Sequence, residues 1–108
     1  MQYLTEQQIR IINRIVIEET GGFSGVRDHH MIATLEVLPQ QQAFGKEFYP
    51  NIFYKAAVYA RNIIMGHPFL DGNKRTGMAC ALTFLEYNEY KFIAKEGEIE
   101  DFAVKIVI

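Results

Sequence analysis

The sequence predicts an all-α domain, a compact helical bundle carrying one short extended flap. Three observations lead there. Apolar residues recur at helical spacing in successive stretches, among them Ile9, Ile12, Ile15 and Val16, then Met31, Ile32, Leu35 and Leu38, then Ala56, Ala60, Ile63 and Ile64. Helix start and stop signals bracket those stretches. Only the segments 40–49 and 89–93 read as short and extended.

The first helix opens at Leu4-Thr5-Glu6-Gln7-Gln8-Ile9. Thr5 suits the N-cap, Gln8 closes a capping box three residues on, and Leu4 is placed to staple onto Ile9. Gly21-Gly22 ends it. After a glycine-bearing loop, Arg27 and Asp28 precede a second helix, with Asp28 as N-cap and Pro39 as its stop. Arg27 reads as a structural residue, pairing with Asp28 or another carboxylate; the alternative is a reach to the site. His29 and His30 are adjacent on a helix and diverge in direction, which does not suit a shared metal.

Segment 40–49 is too polar and glycine-interrupted for a helix. Phe44 and Phe48 flank either a docking hairpin or a surface connection whose two rings tuck into the core. Pro50 fits the first position of a third helix, and Phe53, Ala56, Ala57, Ala60, Ile63 and Ile64 form its apolar, small-residue face. Gly66 is placed to cap it, delivering the chain into His67. A fourth helix runs from Asn73 or Lys74 to about Tyr87, with Asn88 as its end, and Ile99, Phe102, Ala103 and Ile106 mark a last one. The apolar ending Ile106-Val107-Ile108 has no capping signal, so that helix is either truncated or buried against a partner.

The 108 residues make a single domain. With 49% apolar and 22% charged residues, the composition is that of a soluble globular protein. No apolar run is long enough to span a bilayer, which takes about 18 residues, and the start lacks the basic-then-apolar pattern of a signal peptide. The reading is a cytoplasmic protein without a membrane partner. Cys80 is the sole cysteine, so no intrachain disulfide exists. A net charge of −2 without a basic stripe excludes nucleic acid as a partner.

Between the third and fourth helices lies the densest chemistry of the chain, His67-Pro68-Phe69-Leu70-Asp71-Gly72-Asn73-Lys74-Arg75-Thr76-Gly77. Little of it is apolar, so core packing does not account for it. Gly72 permits a tight turn, and the helix behind it presents unpaired N–H groups and the positive end of its dipole, a natural anion site. Lys74 and Arg75 add a point charge and a planar fork suited to phosphate. Asp71 would repel such a guest unless it held a divalent cation against it. His67 can accept a proton near neutral pH. A Walker-type phosphate loop is absent. Base, metal ligand, anion nest and cations together point to nucleotide-dependent group transfer.

Residues 67–75 resemble the signature of the Fic/Doc family, His-Pro-Phe-x-Asp/Glu-Gly-Asn-Gly/Lys-Arg. Lys74 and Thr76 resemble its Doc, or death-on-curing, branch. Gly25-Val26-Arg27-Asp28 followed by Pro39-Gln40, and Phe44-Gly45 followed by Tyr49-Pro50, are similar to further Doc segments. The resemblance covers roughly residues 3–92. It implies a helical Fic/Doc-type domain in which His67 is the general base on a target hydroxyl, Asp71 holds Mg²⁺, and Gly72, Asn73, Lys74 and Arg75 bind the phosphates of ATP. It further implies that Phe44, Gly45 and Lys46 form a flap where a protein target docks by strand addition. The implied partners are a protein substrate, such as a translation factor, and an antitoxin.

Position 74 bears on the reaction. Nucleotidyl-transferring Fic proteins have glycine there, whereas Doc-like proteins have lysine and the family's implied reaction is phosphoryl transfer. Gly72 points the other way, since the Doc branch often has alanine at that place. The expectation is a Doc-like toxin that phosphorylates a protein hydroxyl; the alternatives are AMP transfer and a non-catalytic nucleotide- or partner-binding module. Ala33 and Leu38 stand where Doc chains commonly have an acidic residue and an arginine. Glu96-Gly97 ends like the Fic self-inhibitory pattern, but Phe92 occupies its hydroxyl position, so no internal brake is expected.

Overall fold

A computed structural model describes residues 1–90 of the chain. Helix α1 (Glu6–Thr20) is followed by α2 (His29–Leu35), a 3₁₀ turn (Leu38–Gln40), the antiparallel pair β1 (Gln42–Ala43) and β2 (Lys46–Glu47), then α3 (Ile52–Gly66) and α4 (Asn73–Tyr87). The expected all-α architecture is what forms, with the hairpin as its only sheet among the described residues. The expected last helix and the extended segment before it fall outside those residues, apart from a turn at Asn88–Glu89. No helix described is long and apolar enough to cross a membrane.

Helices α3 and α4 are the central pair. Gly77 lets them approach closely: a Cβ there would lie 2.8 Å from Ile64 Cγ1 and 3.0 Å from the Ala60 carbonyl oxygen. Tyr59, Ile63, Cys80, Ala81 and Phe84 fill the space between them, and Leu4, Ile9, Ile32 and Leu35 close the core from α1 and α2. The Tyr59 hydroxyl accepts a hydrogen bond from the Leu4 N–H at 3.1 Å, and its ring sits 5.2 Å from that of Phe84. The chain's start is tied down again where the Asn88 amide exchanges two 2.8 Å hydrogen bonds with the Gln2 backbone.

The start of α1 is as read: Thr5 and Gln8 form the reciprocal capping box, and Leu4 and Ile9 are both fully buried. The expected stripe needs one correction. Ile15 faces solvent, and Asn13 takes a buried place on that face instead. Asp28 caps α2 by accepting from the Met31 N–H at 3.0 Å. That helix ends at Leu35 with Glu36 at its cap, so Pro39 is not its stop but sits inside the following 3₁₀ turn. Asn51, not Pro50, opens α3, its side chain accepting from the Phe53 N–H at 2.7 Å. Phe53 lies outside the expected apolar face; it is exposed and meets the Tyr90 ring edge-on at 5.4 Å.

Segment 40–49 is a hairpin turning at Phe44-Gly45, with φ of 54° and 76°. Its rings do not tuck into the core: Phe44 is fully exposed at the tip and Phe48 is 55% exposed. What fixes the hairpin is Lys55, a buried residue of α3. Its Nζ donates to Glu47 Oε1 at 2.9 Å and to the Pro39 carbonyl at 3.0 Å, and lies 5.4 Å from the centre of the Tyr3 ring. Burial works to lower the Lys55 pKa, but Glu47 and Tyr3 outweigh it, and the net shift is upward. The cation is therefore retained, as a buried charge must be when it is paired and hydrogen-bonded.

Candidate functional site

The loop between α3 and α4 is held from three sides. Below it, Asn73 is buried at the start of α4, its Nδ2 donating to the Phe69 carbonyl at 2.9 Å and its Oδ1 accepting from the Phe69 N–H at 3.0 Å. On one flank the segment 25–28 runs antiparallel to the loop. Leu70 N–H donates to the Gly25 carbonyl at 3.0 Å, and the Arg27 and Asp28 N–H groups donate to the Pro68 carbonyl at 2.7 and 3.0 Å. These bonds bracket a bridge between Val26 and Phe69, so the polar groups of Phe69 point away from it and toward Asn73. On the other flank Asn13 of α1 donates from Nδ2 to the Asp71 carbonyl and to Thr76 Oγ1, both at 3.0 Å.

At the loop's entrance the expected cap is displaced by one residue. Gly66 is the last residue of α3 and leaves room for the Met31 side chain, which a Cβ would strike. His67 itself takes the left-handed cap position, with φ 50° and ψ 55°. A side chain resists that conformation by about 1–2 kcal/mol, and backbone strain of this sort concentrates at functional sites. At the exit Gly72 is also left-handed, φ 73°, and a Cβ there would approach Ile17 Cδ1 to 3.0 Å. Both conformation and space call for glycine.

A cleft of about 440 Å³ opens over this loop, with His67, Leu70, Asp71, Gly72, Asn73, Lys74 and Arg75 along one side and Thr20, Gly21 and Gly22 at the end of α1 along the other. The six residues expected at the site thus come together. The first amide engaged at the start of α4 is the Thr76 N–H, which donates to the Gly72 carbonyl at 2.8 Å. The N–H groups of Asn73, Lys74 and Arg75 precede it, and Gly72 at the cap position has no side chain to satisfy them. The Asn73 side chain braces the loop through Oδ1 and one Nδ2 hydrogen, both on Phe69, and its main-chain N–H belongs to the open start of α4. Lys74 and Arg75 are exposed, and neither is ion-paired among the described residues.

Asp71 accepts from the Phe23 N–H through Oδ2 at 2.8 Å, which orients the carboxylate; Oδ1 has no partner among the described residues and is of the type that could hold a hard cation. No group of three His, Cys, Asp or Glu side chains gathers among the described residues, so any cation here would draw most of its ligands from water and phosphate. Magnesium binds in that manner, through one or two carboxylates.

The flap residues Phe44, Gly45 and Lys46 do not line this cleft. Among the described residues Arg27 pairs with no carboxylate: its Nε donates to the His67 carbonyl at 2.7 Å and its Nη2 to the Gly66 carbonyl at 2.6 Å. His29 Nδ1 lies 3.1 Å from an Arg10 nitrogen, away from the loop. Sequence reasoning missed Asn13, whose only signal is a polar residue four places after Ile9 on an otherwise apolar face. It also missed the wall at the end of α1 and the Phe23 N–H.

A protein named Toxin Doc, from Mycolicibacterium smegmatis, is 32% identical over 93 residues, spanning 86% of this chain and 69% of that protein. A model of the Fic/DOC family matches residues 3–85, from before α1 to the last turns of α4 and through the whole loop. The chain belongs to the Fic/DOC family.

Proposed function

We propose that this chain is a Doc-type toxin that transfers the γ-phosphoryl group of ATP to a hydroxyl side chain of a target protein. The observation that supports this most is the convergence on one cleft of an exposed His67, a carboxylate with one oxygen unpartnered among the described residues, and a helix start carrying Lys74 and Arg75. His67 takes the proton of the target hydroxyl as its oxygen attacks the γ-phosphorus. The bond from that phosphorus to the bridging oxygen breaks, and ADP leaves. The N–H groups of Asn73, Lys74 and Arg75 and the two cationic side chains stabilise charge on the phosphates, which is most of what phosphoryl transfer asks of a protein. Asp71 would hold Mg²⁺, which supplies further charge neutralisation between phosphate oxygens.

Lys74 favours phosphoryl transfer over AMP transfer, because a side chain at the second helical position narrows the bare backbone nest. Gly72 favours the second reading, AMP transfer, through its resemblance to the Fic branch, which has glycine at that place. The flap, exposing Phe44 at a turn anchored through Glu47 to Lys55, suits docking of a protein target, with a translation factor as the class proposed. The name of the relative, Toxin Doc, supports a separate antitoxin as partner.

The test compares wild type with His67→Ala for transfer from γ-labelled ATP to protein in a lysate. Loss of a general base lowers the rate by about 10²- to 10⁴-fold while ATP remains bound. A His67→Ala protein that transfers at the wild-type rate removes His67 from the mechanism.

A further inference from the structure

We infer that Arg27 is the positioning residue that holds His67 in its left-handed conformation and thereby aims its imidazole into the cleft; the catalytic part of this inference rests on the function proposed above. His67 is an unfavourable residue for φ 50° and ψ 55°. Helix caps in that region are usually glycine or asparagine, and the Pro68 that follows biases its predecessor toward extended backbone. Two local preferences therefore oppose the observed conformation, and something outside the loop must hold it.

The Arg27 guanidinium is placed to do so. Its Nε and Nη2 donate to the His67 and Gly66 carbonyls at 2.7 and 2.6 Å, gripping both peptide groups on either side of the His67 φ and ψ. Its main chain holds the next carbonyl, that of Pro68, through the Arg27 and Asp28 N–H groups. The guanidinium makes no ion pair among the described residues, so its charge is directed to carbonyls at the negative end of the α3 dipole. No hydrogen bond to the His67 ring occurs among the described residues, so the Cα–Cβ direction set by the backbone that Arg27 grips is what brings the side chain to the cleft it lines. A lysine would bring a single charged point and could not clasp two carbonyls in a fixed fork.

The experiment uses the full chain, ¹⁵N,¹³C-labelled, as wild type, Arg27→Lys and Arg27→Gln. The HN–Hα coupling and Cα shift of His67 report its φ, Mg–ATP titration reports binding, and γ-phosphoryl transfer gives kcat and KM. Both variants are expected to fold and to bind Mg–ATP within about twofold of wild type, because Arg27 contributes nothing to uniform substrate binding. His67 should leave the left-handed region, and kcat should fall on the order of 10²-fold, the scale of a misplaced reacting group. Arg27→Lys keeps the charge at the end of α3 and serves if Arg27→Gln does not fold. His67 staying left-handed in a folded variant overturns the inference, as does a loss confined to KM. If wild type transfers nothing, the functional reading fails, and the coupling still decides whether Arg27 holds His67.

Discussion

Replacing Asn73 by alanine should unfold the site from below. Asn73 is 8% exposed and Phe69 2%, and the amide supplies the partners for both polar backbone groups of Phe69. The strap at residues 25–28 does not substitute, because its bonds go to Pro68 and Leu70 on either side. Each buried group left without a partner costs about 1–3 kcal/mol. With partial relief as water enters the vacated space, the expected loss is about 2–4 kcal/mol, a large share of the roughly 5–15 kcal/mol that stabilises a domain. Urea unfolding measures it as a lower midpoint at an unchanged slope. Mg–ATP binding should weaken as well, since the loop that orders the N–H groups of α4 would loosen. A loss below about 0.5 kcal/mol, the range of ordinary surface changes, would show that Asn73 does not hold the loop.

Two further outcomes follow from the same structure. Phe44 is fully exposed and touches no core residue, so Phe44→Ala should leave the unfolding midpoint unchanged while slowing modification of the target protein; unchanged modification by a folded variant would remove the flap from target docking. Alkaline stability offers a second test. Burial pushes the Cys80 thiol above its ordinary 9.0, burial likewise raises the Tyr59 phenol above 10.0 against an opposing Leu4 hydrogen bond, and Lys55 is raised above 10.5. The folded state thus binds these protons more tightly than the unfolded state. Their stabilisation is complete below the unfolded values and is lost as pH rises past them, at up to about 1.4 kcal/mol per pH unit for each group. Stability should begin to fall near pH 9.0, and Cys80→Ala should move that onset toward pH 10.0 in urea titrations at stepped pH.

Features written in local sequence were legible. The Thr5–Gln8 box, the Asp28 cap and the end of α4 at Asn88 each depend on residues within one turn of each other. The loop was legible for the same reason, as its base, carboxylate, glycine and cations are consecutive. What escaped depends on partners far away in the chain. Asn13 meets Asp71 across 58 positions and Arg27 meets His67 across 40, and in both cases the partner is a main-chain carbonyl, which every residue has. Lys55 draws no notice in the sequence, because its burial depends on the Pro39 carbonyl and Glu47 folding over it. Gly66 lies inside α3 and not at its cap, and what calls for glycine there is the Met31 side chain packed against it, a contact between separate helices. The bracing by Asn73 likewise depends on the strap, which bonds to Pro68 and Leu70 and leaves both polar groups of Phe69 to the Asn73 side chain.

The most direct test of a phosphoryl-transfer site is the position of the label that moves. Purified protein, magnesium and lysate receive ATP labelled on either the γ- or the α-phosphate. Label reaching a protein from the γ position alone is the result this account predicts. Label reaching it from the α position would contradict it and assign the cleft to AMP transfer.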